Sequence, residues 1–76
     1  MLLAERIRKI REAHKLTQAE VADRCNISAS AYGKIERRAG SSSFDTLTKV
    51  ASALDVEVSF LVDIGNSNYN QKKYNL

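Results

Sequence analysis

The chain has 76 residues, a formal net charge of +3, one cysteine, one histidine and no proline, which predicts one small domain near the lower size limit for folding without disulfides or metal ions. One cysteine excludes an internal disulfide, one histidine with one cysteine cannot form a zinc site, and no apolar run is long enough to span a membrane. Residues 1–40 contain nine Lys or Arg residues and five acids, whereas residues 41–76 contain three and four, so the positive charge that phosphate binding requires lies in the N-terminal half.

Helix one is predicted over about residues 2–14. Leu3, Ile7 and Ile10 recur at spacings of four and three, which places them together on an inward face. Charged residues interrupt this segment too early for a signal peptide, and the cysteine usage fits a reducing compartment. We therefore expect a cytoplasmic protein, of the kind associated with a bacterial nucleoid or a phage, with no membrane association.

Helix two is predicted over residues 18–24. Thr17 and Glu20 have the spacing of a capping box, which starts a helix. An apolar stripe at roughly helical spacing follows, formed by Ala19, Val21, Ala22 and Cys25. Asn26 then lies where the chain must turn sharply, and asparagine accepts the left-handed backbone conformation more readily than most residues.

Helix three is predicted over residues 28–38, with Ser28 as its N-cap. The helical period turns Ala31, Tyr32 and Ile35 inward. The opposite face carries small and cationic side chains, namely Ala29, Ser30, Gly33, Lys34, Arg37 and Arg38. A protruding helix edged with such side chains suits the major groove of DNA.

A flexible connection over residues 39–43 leads to two further helices. Gly40 is a predicted helix stop and Ser43 a predicted N-cap. Helix four is predicted over residues 44–54, and its inward side chains at helical period are Phe44, Leu47, Val50, Ala51 and Leu54. Helix five is predicted over about residues 58–64.

The chain is predicted to divide into a domain over residues 1–64 and a tail over residues 65–76. The tail is polar, rich in asparagine and without period, so we expect it to be loosely ordered. Short loops and the absence of proline favour a compact all-helical bundle. With one histidine, no nucleophile paired with a base and no glycine-rich phosphate loop, we expect no enzyme activity, no cofactor and no small-molecule ligand.

Four segments of the chain carry a family pattern. They are TQAEVA at 17–22, IS at 27–28, YGKIER at 32–37 and LTKVASALDV at 47–56. Together they make residues 3–62 resemble the lambda-repressor-like (Cro/XRE-type) helix-turn-helix family. The resemblance implies a compact five-helix, all-α domain that binds double-stranded DNA through a helix-turn-helix at helices two and three.

The exposed positions of helix three are the candidates for direct contact with bases. They are Ala29, Ser30, Gly33 and Lys34. Lys34 has the donors to reach O6 and N7 of guanine, although an exposed lysine is most often only solvated. The set lacks the bidentate Gln or Arg that many family members carry, so DNA shape or a second half-site must supply part of the specificity.

A second set of residues is predicted to contact DNA phosphates. Its members are Thr17, Gln18, Ser28, Tyr32, Arg37, Arg38, Ser42 and Ser43. For Gln18 the contact is implied by the resemblance, and capping of helix two is its alternative role. For Arg37 and Arg38 the alternative is compensation of the helix dipole.

Two further groups have structural or assembly roles. The resemblance implies a partly buried ion pair between Arg11 and Glu36, which joins helix one to helix three. The C-terminal part is more apolar than a bundle needs, which predicts a homodimer interface formed by Val56, Val58, Phe60, Leu61 and Ile64. The tail residues Tyr69 or Tyr74, or a different protein, are the alternative covers for this surface.

The leading hypothesis is a stand-alone transcriptional regulator, either a repressor or an autoregulatory controller. A dimer would place two copies of helix three about one helical turn apart in the major groove and read two half-sites. One alternative is an antitoxin-like protein that binds both operator DNA and a toxin. Another is a protein-interaction module of the same fold without a role on DNA.

Overall fold

The computed structural model describes residues 2–62, which fold into five α-helices and one short 3₁₀ helix. We number the α-helices α1 to α5. Their bounds are Leu3–Ala13 for α1, Gln18–Arg24 for α2, Ala29–Arg37 for α3, Phe44–Ala53 for α4 and Val58–Leu61 for α5, with the 3₁₀ helix over Ala39–Ser41. The all-α prediction is confirmed. The predicted domain boundary and the tail over residues 65–76 lie outside the described residues.

Side-chain caps start three of the helices at the predicted positions. The Oγ1 atom of Thr17 accepts a hydrogen bond from the Glu20 amide at 3.0 Å, and the Glu20 carboxylate accepts one from the Thr17 amide at 2.8 Å. Ser28 and Ser43 cap α3 and α4 through single bonds of this kind. Each cap satisfies an amide that has no partner within its helix, so the starting points of these helices are encoded locally.

Three helices end in the same way, on a residue with a left-handed backbone. Lys15, Asn26 and Asp55 have φ angles of 58°, 60° and 62°. In each case the next amide bonds to a carbonyl five residues earlier, over the pairs Leu16 to Arg11, Ile27 to Ala22 and Val56 to Ala51. This is the Schellman motif, in which glycine is the usual left-handed residue. Asn26 makes the turn for which the sequence predicts it.

The core is a single apolar cluster to which all five helices contribute. Tyr32 is its largest fully buried side chain, and the other buried apolar residues are Ile7, Val21, Ala22, Ala39, Leu47, Val50, Ala51, Ala53, Leu54 and Leu61. The prediction that Phe44 is buried is wrong, because this first residue of α4 lies beyond the core and is 65% exposed. Ala19, also predicted to lie on the apolar stripe, is exposed at the start of α2.

Two arginines tie distant helices together through backbone carbonyls. Arg6 of α1 donates to the Phe60 carbonyl from Nε and Nη2, at 3.1 and 3.0 Å, and its guanidinium lies 4.5 Å from the centre of the Phe60 ring. Arg24 of α2 donates to the Ala53 carbonyl at 2.8 Å. These bonds attach α5 to α1 and the end of α4 to α2. No helix within residues 2–62 has the length and apolar character needed to cross a membrane.

Candidate nucleic-acid interface

The exposed side of α3 presents small and cationic side chains. Ser30, Lys34 and Arg37 follow one another at spacings of four and three, so they lie along one side of the helix. We call these three residues the reading face. Ala29 is exposed beside them on the first turn, and Arg38 is exposed where the helix ends. The combination offers hydrogen-bond donors and positive charge without bulky apolar groups.

Within residues 2–62, the cations of this surface have no acidic partner within 4.0 Å. Among residues 2–62, Arg11 and Glu36 form the only ion pair within 4.0 Å. Lys34, Arg37 and Arg38 are therefore exposed and unpaired within this part of the chain. Unpaired guanidinium and ammonium groups bind phosphate without first breaking an internal contact, and their binding releases counterions from DNA.

Gly33 occupies a different place from the one predicted. It is buried, because the side chains of Gln18 and Arg37 lie over it. A methyl group built at its Cα would lie 3.4 Å from Nη1 of Arg37 and 3.6 Å from Oε1 of Gln18. The free protein thus does not present Gly33 to a base edge. Its lack of a side chain instead leaves space that the side chains of Gln18 from α2 and Arg37 from α3 occupy.

Beneath the reading face, α3 is joined to the rest of the fold by the Glu36 carboxylate. Arg11 donates to it from Nε at 2.8 Å and from Nη2 at 3.2 Å, Gln18 donates at 3.0 Å and the Tyr32 hydroxyl at 2.9 Å. Arg11 also donates to the Leu16 carbonyl at 2.9 Å. Burial raises the pKa of Glu36, but the hydrogen bonds from Arg11, Gln18 and Tyr32 outweigh it, and the net pKa is lowered. The carboxylate is therefore ionised and fully bonded.

The prediction that Tyr32 contacts a phosphate is wrong. Its side chain is 0% exposed and its hydroxyl donates to Glu36, one helical turn further along α3. Burial, followed by the neighbouring carboxylate, raises the pKa of Tyr32 well above its usual value. Gln18 also uses one amide donor on Glu36, so only its second N–H and its backbone amide remain for DNA.

Ser42 and Ser43, two of the predicted phosphate contacts, form hydrogen bonds with residues close to them in the chain. Ser42 is half-buried and donates to the Arg38 carbonyl at 3.4 Å, and Ser43 is exposed and donates to the Thr46 hydroxyl at 3.0 Å. Thr17 and Ser28 are exposed N-caps of α2 and α3. A role of these four residues in phosphate binding stays a prediction.

The predicted dimer surface is only partly exposed. Leu61 is 0% exposed and belongs to the core, so its assignment to the interface is wrong. Phe60 is 50% exposed, Val56 and Val58 are half-buried, and Ile64 lies outside the described residues. Leu2, which the sequence reasoning did not assign, is 72% exposed. It lies four residues before Arg6, whose guanidinium packs on the Phe60 ring.

Comparison with known protein families matches the part of the chain that carries this surface. A family model described as helix-turn-helix matches residues 7–61, from the middle of α1 to the end of α5. The chain belongs to this helix-turn-helix family. The match includes α2, α3 and the turn at Asn26, so the surface described above lies on the second helix of a helix-turn-helix.

Three relatives of the chain are named as repressors or as transcriptional regulators of the helix-turn-helix type. It is 42% identical over 62 residues to the immunity repressor protein of Bacillus phage phi105, a match that covers 82% of this chain and 43% of the repressor. It is 33% identical over 72 residues to the cryptic phage CTXphi transcriptional repressor RstR of Vibrio cholerae, covering 95% and 64% of the two chains. It is 32% identical over 63 residues to the uncharacterized HTH-type transcriptional regulator YobD of Bacillus subtilis, covering 83% and 56%.

The matches therefore cover between 43% and 64% of these relatives' own lengths. No solved structure gives a significant match to the chain. The likeness thus applies to the helix-turn-helix domain that the fold displays.

Proposed function

We propose that this protein is a transcriptional regulator of the repressor type that binds double-stranded DNA by inserting the reading face into the major groove. The observation that carries the proposal is the set of exposed, unpaired cations and small side chains on the second helix of the helix-turn-helix. The names of two relatives, both repressors of phage origin, support the same function.

The contacts divide into those that specify sequence and those that position the domain. Lys34 projects from the middle of the reading face and is the donor for a guanine edge, with Ser30 and Ala29 as its neighbours on the earlier turn. Arg37 and Arg38, at the end of α3, bind the flanking phosphates. The N-caps and nearby polar groups complete the phosphate contacts, through Thr17, Gln18, Ser28, Ser42 and Ser43.

A dimer supplies the remaining specificity. One lysine contact on a short helix discriminates weakly between sequences, so a second copy on a two-fold site is needed for useful affinity. Phe60, with Val56 and Val58 beside it, is the apolar surface that remains for such an interface. In this arrangement the regulator acts by occupancy, since a dimer spanning two half-sites blocks access of RNA polymerase to its promoter.

Selection of bound duplexes from a random DNA pool tests the proposal. We expect enrichment of a two-fold symmetric site whose half-sites are about 10 base pairs apart from centre to centre. Failure to enrich any sequence over the starting pool would contradict sequence-specific binding, and recovery of a single unrepeated half-site would contradict the dimer.

The selected duplex also tests the role of Lys34. Lys34→Ala should weaken binding to it by about tenfold and relax the preference at one base pair of each half-site, since one good base contact contributes about 1–3 kcal/mol. Lys49→Ala is the matched control, because Lys49 is also exposed but lies on α4, beside Cys25 and Ile27. It removes the same charge and should leave the base preference unchanged.

A further inference from the structure

A surface cleft separates the first half of α1 from the end of α3. Its volume is about 340 Å³, and its walls are formed by Ala4, Glu5, Arg8, Glu36 and Arg37. The two arginines thus come from different helices and share one concave surface.

The charge balance of the cleft is positive. Arg8 and Arg37 are exposed and have no acidic partner within 4.0 Å in the described part of the chain. Glu36 is saturated by donors and paired with Arg11, so its charge is already compensated. Glu5 accepts a hydrogen bond from the Leu2 amide at 3.4 Å, at the start of α1. Since that hydrogen bond does not neutralise the Glu5 carboxylate, Arg8 and Arg37 against Glu5 leave the cleft with a net charge of +1.

The cleft is continuous with the reading face. Arg37 belongs to both, because its Nη1 lies over Gly33 beside Gln18 while the residue also forms a wall of the cleft. A DNA strand bound along the reading face as far as Arg37 therefore lies beside the cleft that Arg8 also lines. Arginine suits this position, since its planar fork binds two oxygens of one phosphate.

We propose that Arg8 of α1 is a DNA phosphate contact, and that Arg8 and Arg37 together hold a backbone phosphate at the cleft between α1 and α3. This inference rests on the proposed function and extends its footprint from the helix-turn-helix to the first helix. The site takes a phosphate diester of duplex DNA, without regard to base sequence.

Salt titration of binding to a random-sequence duplex measures this contact. Arg8→Ala should make the negative slope of log K against log [salt] shallower by about 0.9, because one fewer counterion is released. It should also weaken binding about eightfold near 0.1 M salt. Arg8→Lys should retain most of the slope. Lys9→Ala is the matched control, since Lys9 is the next exposed, unpaired cation of α1 and does not form part of the cleft. Because Arg8 is exposed, thermal unfolding of Arg8→Ala should match the wild type.

Replacement of single phosphates by neutral methylphosphonates locates the contact on the selected duplex. One outer phosphate of each half-site should weaken wild-type binding when neutralised, and the same change should have no effect on Arg8→Ala. Equal slopes and affinities for Arg8→Ala and Lys9→Ala would overturn the inference. If Lys34→Ala still relaxed base preference in that case, the proposed function would stand without Arg8. Absence of wild-type binding to any duplex would overturn both.

Discussion

The carboxylate of Glu36 connects the DNA-facing helix to the rest of the protein at the scale of single residues. Its oxygens accept hydrogen bonds from Arg11, Gln18 and Tyr32, which lie on α1, α2 and α3. A buried carboxylate is costly unless it is paired and fully bonded, and here both conditions are met. The position of α3 relative to α1 and α2 is therefore fixed by a polar contact as well as by the core.

Tyr32→Phe removes one donor from Glu36 without removing the ring. We expect a loss of about 1.5–3 kcal/mol in the free energy of unfolding near neutral pH, the usual range for a hydrogen bond to a charged group. Because the folded-state pKa of Glu36 is lowered, its stabilising effect is present above the unfolded-state pKa of about 4.3 and is lost as pH falls through the folded-state value. The difference in the free energy of unfolding between the wild type and Tyr32→Phe should therefore shrink in acid. Urea unfolding at several pH values measures it.

The same variant separates a structural tyrosine from one that contacts DNA. Since the hydroxyl of Tyr32 is buried on Glu36, Tyr32→Phe should leave the salt dependence of DNA binding unchanged. A lower slope with unaltered stability would contradict the structural assignment.

Residues 32 and 33 show where sequence reasoning on single positions stops. The helical period places Tyr32 inward, but it does not reveal that the hydroxyl has an internal acceptor, because that acceptor is buried only in the folded domain. Gly33 is outward by period and buried in fact, since two long side chains fold across a position without a Cβ. Short-range patterns fix the direction of a side chain, whereas tertiary neighbours decide what covers it.

At the scale of the elements, the sequence predicts helix starts better than helix ends. Thr17, Ser28 and Ser43 cap the starts of α2, α3 and α4. Their positions can be predicted because the capping hydrogen bond joins residues only three apart in the sequence. Among the left-handed terminators, Asn26 and Asp55 have residue types that favour the conformation, whereas Lys15 does not. Lys15 and Asp55 adopt it because packing of the next residue, Leu16 or Val56, closes the motif.

Lys15→Gly should stabilise the protein. A lysine in the left-handed region is strained by about 1–2 kcal/mol, and glycine removes most of that strain at some cost in unfolded-state entropy. We expect a net gain of about 1 kcal/mol in the free energy of unfolding, measurable as a rise of several degrees in Tm.

Lys15→Ala is the control for this prediction, because it removes the same charge but keeps the Cβ atom. It should give no gain in stability. Equal Tm values for the two variants would show that charge, and not backbone strain, sets the stability at this turn.

At the scale of the whole molecule, the proposed DNA surface centres on α3 and the exposed apolar surface on α5, and α1 contributes to both. The reading face and the cleft beside it draw on α3 and α1, and the exposed apolar side chains Leu2 and Phe60 lie at the start of α1 and on α5. Arg6 bridges α1 and α5 by its bonds to the Phe60 carbonyl. Helix α1 thus contacts both the proposed DNA surface and the proposed dimer surface.

The family and the all-helical fold could be predicted from the sequence because spaced motifs, caps and apolar period all agree. The interface could be predicted only in outline. Lys34, Arg37 and Arg38 are exposed as expected, but the prediction that Leu61 lies at the surface is wrong, because its side chain is buried in the core. A helix of four residues has too little period to separate its core side from its outer side.

Chemical-shift mapping of the protein with the selected duplex tests most directly whether α3 is the element that enters the groove. The account predicts that the largest amide shift changes fall on Ser30, Lys34 and Arg37, with smaller ones at Arg8, and that Lys49 on α4 is unaffected. Changes confined to α4 and α5, with the amides of α3 unmoved at saturating DNA, would contradict it.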